Sequence, residues 1–257
     1  MLEGKRILVA GASNHTGLGY AIASALVEQG SEVVVTCRQE SNDRAVKWLG
    51  KVGIRPIVCD PLIPDSLNRL AGVVGEAGPL DGIVHSIASA NPAGLQGSFL
   101  DSINPEDFTL AMNASVYTFL GLVKGLSPIL RDGASVVTLT YMGSQRPVPH
   151  YNLMGLAKAA LQGAVRAFAL DLGPRNIRVN AISSPFLPTA SSRAIADATK
   201  MKDLQKANSL LAHQVTKEDV ANTAVYLLSD LSSSVTGQVI KVDGGFSHSI
   251  CSRDEAS

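Results

Sequence analysis

Cysteine is scarce in this chain. Cys37, Cys59 and Cys251 are the three, and no two form a CxxC pair. An odd, sparse set argues against a disulfide framework and against a zinc site, and suits reduced thiols in the cytoplasm. An excess of one charge is also lacking. Lys plus Arg number 22 and Asp plus Glu number 22, so the basic surplus typical of nucleic-acid binders is missing. No uninterrupted apolar run reaches the roughly 18 residues that cross a bilayer. Met1–Arg6 leads straight into the first apolar run and leaves no room for a leader peptide in the chain as given. Neither a metal, a nucleic acid nor a membrane is therefore expected as a partner.

What remains is 46% hydrophobic over 257 residues, enough for one large core. Short runs rich in Val and Ile lie at Ile7–Ala10, Val33–Cys37, Ile57–Asp60, Ile83–Ser86, Ser135–Thr140, Val179–Ile182 and Val239–Val242. Continuous apolar runs of this length suit strands buried on both faces, as in a parallel sheet. Helical stretches separate them. Leu18–Gln29 repeats Leu18, Ile22 and Leu26 at four-residue spacing and stops at Gly30, a usual residue just past a helix. Lys217–Ser229 follows Thr216, with Asp219 three residues on, close to a capping box. Phe108–Leu130 and Tyr151–Leu172 read as the long central helices. The alternation predicts an α/β fold: one doubly wound, Rossmann-type domain over 1–257, with about seven parallel strands and helices on both faces. The least regular stretch, about 184–210, reads as a loop-plus-helix excursion over the sheet's C-terminal edge, where such folds bind ligands.

The first strand ends in Gly11-Ala12-Ser13-Asn14-His15-Thr16-Gly17-Leu18-Gly19. A glycine-rich turn between first strand and first helix lets backbone amides approach a pyrophosphate. The second strand runs into Cys37-Arg38-Gln39-Glu40. An Arg at this place accommodates the 2′-phosphate of NADPH, whereas a carboxylate reads the free ribose of NADH. Arg38 comes first and points to NADPH, with NADH possible. The alternative is a solvated Arg38 with Glu40 on the ribose. His85, on an apolar strand, reads as a hydrogen-bonded core histidine.

The most informative stretch runs from Tyr141 through Tyr151-Asn152-Leu153-Met154-Gly155-Leu156-Ala157-Lys158. Tyr151 and Lys158 are seven residues apart, a rotation of about 700°, which puts them on one helix face roughly 10 Å apart along the axis. Met154, four before Lys158, cannot transfer a proton.

The G-x5-G-x-G spacing resembles the short-chain dehydrogenases, and the Tyr-x6-Lys pattern with a second tyrosine ten residues upstream resembles the enoyl-acyl-carrier-protein reductases among them. Gly4–Val9, Val84–Ile87, Val179–Ser183 and Val242–Phe246 extend the likeness along nearly the whole chain. The resemblance implies hydride transfer from NAD(P)H to the β-carbon of a trans-2-enoyl thioester of acyl carrier protein or CoA, in fatty acid synthesis. It gives Tyr151 the thioester carbonyl, Lys158 the nicotinamide ribose and Tyr141 the acyl pocket, where simple packing is the alternative. It implies cofactor contacts at Gly11, Ser13, Gly17, Leu18, Arg38, Asp60, Pro61, Ser86, Ile87, Ala88, Lys158, Leu187 and Thr189. Substrate contacts fall at Ala90, Tyr141, Tyr151, Met154 and Phe186. It also implies a cytoplasmic homotetramer packed through the two long helices. Two departures stand out: a glycine loop richer in Gly, and Ser184-Pro185-Phe186-Leu187-Pro188-Thr189, which bears on acyl-chain preference and pathway. The alternatives are an enoyl reductase of a specialised pathway, a carbonyl or alcohol dehydrogenase, and a non-enzymatic nucleotide-binding regulator. Intact Tyr151, Lys158 and Tyr141 argue against the last.

Overall fold

The computed structural model describes residues 1–189, 192 and 195–249. Cys251, Ser191 and residues 190, 193 and 194 of the expected excursion lie outside them. Seven strands form one sheet: β1 Arg6–Ala10, β2 Glu32–Cys37, β3 Ile57–Val58, β4 Leu80–His85, β5 Leu130–Tyr141, β6 Arg178–Ser184 and β7 Val239–Lys241. Their order is β3-β2-β1-β4-β5-β6-β7, and every pairing is parallel. The strand order reverses between β1 and β4, which opens a crevice at their carboxyl ends.

Successive side chains of β1 point to opposite faces, and each face is covered. Leu8 and Ala10 join the core under α3 (Pro64–Glu76), α5 (Thr118–Leu126) and α6 (Asn152–Leu172). Ile7 and Val9 join the core under α1 (Leu18–Glu28), α2 (Asn42–Leu49) and α8 (Lys217–Leu228). Two-sided burial explains the unbroken Val/Ile runs. The capping box at α8 is formed: Asp219 N donates to Thr216 Oγ1 (3.3 Å) and Thr216 N to Asp219 Oδ2 (2.8 Å).

Two expectations are corrected. The third strand is only two residues long, since Asp60 turns the chain by accepting from Leu62 N at 2.9 Å. Phe108–Leu130 is not one helix. It divides into α4 (Pro105–Met112), a π turn at Asn113–Tyr117, α5 and the start of β5. Thr118 Oγ1 bonds back to Ala114 O (3.0 Å), the kind of local competition that bends helices. The stretch Asn152–Arg175 is long and apolar enough to cross a membrane, with a mean hydropathy of 1.2. Here Leu153, Ala157, Leu161 and Val165 pack it into the core beside β5 and β6. The 184–210 excursion contains a further helix, α7 (Ala198–Asn208).

Candidate active site

The crevice at the carboxyl ends of β1 and β4 opens into a cavity of about 330 Å³. Its floor is the glycine loop. Gly11 has φ +96° and would drive a Cβ into the carbonyl of Ser86; a Cβ on Gly19 would come within 2.9 Å of Gly11 O. Inside the loop, Asn14 closes its own turn, accepting from Thr16 N at its side chain (3.1 Å) and from Gly17 N at its carbonyl (2.9 Å). The helix that follows, α1, has no side-chain cap. Among the described residues no side chain caps its first N–H groups, which border the cavity at Leu18 and Gly19, as an anion site requires.

The reactive wall comes from β5 and α6. Tyr141 ends β5, and Tyr151 sits just before α6. Their rings meet edge to face, with centroids 4.8 Å apart and an interplanar angle of 68°. Gly143 makes this possible: a Cβ there would lie 2.5 Å from Tyr151 Cδ1 and 3.2 Å from Tyr141 Cδ1. Both residues flanking Tyr151 are strained, His150 at φ +62° and Asn152 at φ +41°. The loop before α4 holds them there. Asn152 Nδ2 donates to Gly94 O (3.0 Å), and His150 Nδ1 lies 3.0 Å from Gly97 O.

Electrostatics sorts the polar groups. Burial pushes the Tyr141 phenol up to about 12. It raises that of Tyr151 further, with a smaller contribution from Tyr141. Both stay protonated hydrogen-bond donors through neutral pH. Among the described residues the buried Tyr141 hydroxyl has no partner. Lys158 donates from Nζ to Leu139 O (2.8 Å), and burial lowers it to about 8. His85 is held down to about 3, first by burial and then by the charge of Lys158. Its Nε2 is 2.9 Å from Thr118 Oγ1 and its Nδ1 2.9 Å from Thr138 Oγ1. The neutral ring donates from one nitrogen and accepts at the other. His85 is thus a neutral core bridge, as its apolar strand suggested.

Of the residues singled out in the sequence, Gly11, Ser13, Gly17, Leu18, Ser86, Ile87, Ala88, Ala90, Tyr141, Tyr151, Met154, Lys158, Phe186, Leu187 and Thr189 all line this one cavity. Arg38, Asp60 and Pro61 do not. The Arg38 side chain is 59% exposed and faces Glu40 at 4.0 Å. The sequence reading missed Arg44 and Leu95, which also line the cavity. The charged residues of the lining are Arg44 and Lys158, and no carboxylate of the described residues joins them. The glycines, the uncapped helix and the two cations fit a nicotinamide dinucleotide.

A family model described as Enoyl-(Acyl carrier protein) reductase matches residues 11–247. The enoyl-(acyl-carrier-protein) reductase (NADH) FabI of Buchnera aphidicola subsp. Acyrthosiphon pisum is 41% identical over 248 residues, covering 95% of each chain. That of Escherichia coli (strain K12) is 37% identical over 249 residues, covering 96% of this chain and 95% of its own. The enoyl reductase of Anaplasma phagocytophilum, solved with NAD, superposes with a TM-score of 0.92 at 34% identity over 98% of this chain and 96% of its own. That of Bacillus cereus, solved with NADP+ and indole naphthyridinone, gives 0.91 at 31% over 96% and 98%.

Proposed function

This chain belongs to the enoyl-(acyl carrier protein) reductase family, and on that premise we propose how its own residues divide the work. It is an NAD(P)H-dependent reductase of the C2=C3 double bond of an enoyl thioester on acyl carrier protein, in fatty acid synthesis. A bound nicotinamide dinucleotide supplies the hydride. Lys158 keeps one donor on Leu139 O and offers the others to the nicotinamide ribose. Tyr151 donates its phenol hydrogen to the thioester carbonyl, where charge accumulates as the double bond is reduced. Tyr141 fixes the Tyr151 ring by its edge-to-face contact and lines the acyl pocket. Phe186, where the resemblance leads one to expect a smaller residue, shapes the far end of that pocket.

One observation carries this reading. The residue four before Lys158 on the cavity wall is Met154, while the phenol lies two helix turns away, paired with a second phenol. A carbonyl reductase needs an acid at the reacting oxygen, and Met154 cannot be one. The relatives named above are NADH enzymes and one related structure holds NADP+; we assign both dinucleotides to this chain, because no carboxylate lines the cavity to reject a 2′-phosphate. Asp60 and Pro61 border the adenine end. Segment 184–210 acts as a lid over the acyl chain: Phe186 N donates to Gln205 Oε1 of α7 (2.8 Å), which ties the two halves of the lid together. Exposed Phe108, Tyr117, Leu156 and Leu170 support a homotetramer built through α4, the π turn and α6. Free, buried Cys37 and Cys59 fit a cytoplasmic enzyme.

Oxidation of NADH by the purified protein, with the same enoyl group on acyl carrier protein and on CoA, tests the carrier. Higher kcat/KM on the carrier protein supports the reading; equal or higher values on CoA reject that carrier. A series from crotonyl to long-chain enoyl thioesters tests whether Phe186 sets chain length.

A further inference from the structure

Two cations line the cavity, Arg44 and Lys158, and only Lys158 has a role so far. Arg44 belongs to the first turn of α2 and reaches back to the glycine loop. Its Nε donates to Ser13 O at 3.3 Å, and its Nη2 to Ser41 Oγ at 3.3 Å. An arginine has five N–H donors, so most of this fork is still uncommitted among the described residues. The helix that carries it is fixed against the same loop. Trp48, one turn further along α2, stacks on His15 with centroids 3.8 Å apart and planes 25° apart. Lys51 Nζ lies 4.2 Å from the Trp48 ring centroid. Lys217 Nζ, at 3.5 Å from His15 O, holds the loop from the α8 side.

Arg38 is differently placed. It lies outside the cavity lining, largely in solvent, beside the equally exposed carboxylate of Glu40. Its charge is therefore partly answered; Arg44 is exposed as well, but it borders the cavity, with its guanidinium against the backbone of Ser13 and no carboxylate among the described lining residues.

We propose that Arg44 is the residue that grips the 2′-phosphate of NADPH and so sets the balance between the two dinucleotides. This assignment rests on the nicotinamide-dinucleotide reading of the cavity. A guanidinium forms paired, charge-assisted hydrogen bonds with a phosphate and has no equivalent partner in a ribose hydroxyl. Arg44 thereby adds affinity for NADPH and none for NADH. The stack of Trp48 on His15 keeps α2, and hence Arg44, at the right distance from the loop.

The test uses the full chain with adenosine 2′,5′-bisphosphate and adenosine 5′-monophosphate as probes, titrated by calorimetry. The wild type binds the bisphosphate more tightly. Arg44→Gln weakens the bisphosphate by about tenfold to a hundredfold, the loss expected for a charged hydrogen-bonded pair, and leaves the monophosphate little changed. Arg44→Lys, which keeps the charge but not the fork, falls between. Arg38→Gln leaves the difference between the probes largely intact. Equal weakening of both probes in Arg44→Gln would mean that Arg44 only props Ser13, and would overturn the assignment. So would loss of the difference in Arg38→Gln alone. A wild type that binds neither probe nor either dinucleotide would reject the cofactor reading itself; a wild type that reduces enoyl thioesters while Arg44→Gln binds the bisphosphate normally rejects only the role of Arg44.

Discussion

Gly143 lies against the ring of Tyr151 so closely that a single added Cβ would stand 2.5 Å from its Cδ1 atom. The turn after β5 is therefore a mould for the Tyr151 ring. Gly143→Ala should displace the ring while leaving the sheet and helices intact. We expect kcat to fall by about a hundredfold, the usual cost of a misplaced catalytic group, with Tm lowered far less. Steady-state kinetics beside thermal unfolding will show whether the two losses separate. Wild-type kcat in the folded variant would mean that the close seat is irrelevant to turnover.

The strained residue at Asn152 makes an ordering prediction. At φ +41° a glycine is at ease and an alanine is not, while both lose the hydrogen bond to Gly94 O. Asn152→Ala should be less stable than Asn152→Gly by about 1 kcal/mol. Denaturant unfolding of the pair measures this directly. The reverse order would show that the backbone at this position is not strained.

Lys158 gives a pH dependence. Burial lowers it to about 8, so the free enzyme loses the ammonium as pH rises through that value. Dinucleotide binding needs the charged form, which means that affinity is constant below about pH 7 and declines above 8. Tyr151, raised above the ordinary phenol range, does not titrate in that interval. Kd for NADH measured from pH 6 to 9.5 should show one upward break, near pH 8. A flat profile would remove the ammonium from cofactor binding.

Much of this site was legible in the chain. The Val and Ile runs marked all seven strands, because two-sided burial writes itself as unbroken apolar sequence, although the run Ser135–Thr140 covers only half of β5. Tyr151, Met154 and Lys158 announced their shared wall by helical spacing. Tertiary placement was not legible. Arg44 lies past the strand end where a charge would be sought, and it reaches the cavity from α2, a helix whose Trp48 stacks on His15 of the glycine loop. The π turn at Asn113–Tyr117 was hidden because the apolar pattern there supports an unbroken helix, and the bond from Thr118 Oγ1 back to Ala114 O that accompanies the turn is not a sequence signal. Nothing in the sequence marks Gly143 as the residue on which two aromatic rings close.

The lid makes a dynamic prediction. Among its described residues, Phe186, Leu187 and Ile195 line the cavity, so an acyl chain bound there would bury them further. Amide hydrogen exchange in 184–210 should slow when NADH and a non-reducible enoyl analogue bind together, as closure of a lid requires. Strong protection already present in the free enzyme would contradict a moving lid.

The central claim is that Tyr151 assists reduction of a carbon–carbon double bond, with Lys158 holding the dinucleotide. It is tested most directly by following NAD(P)H oxidation with crotonyl and acetoacetyl thioesters, in the wild type and in Tyr151→Phe. We predict turnover of the crotonyl substrate and none of the acetoacetyl one. In Tyr151→Phe we predict kcat on crotonyl lowered by about a hundredfold to a thousandfold, the effect of losing one donor to a developing oxyanion, with activity still measurable and dinucleotide affinity nearly unchanged. Reduction of the acetoacetyl thioester, indifference to the crotonyl one and complete loss of turnover in Tyr151→Phe would contradict the account.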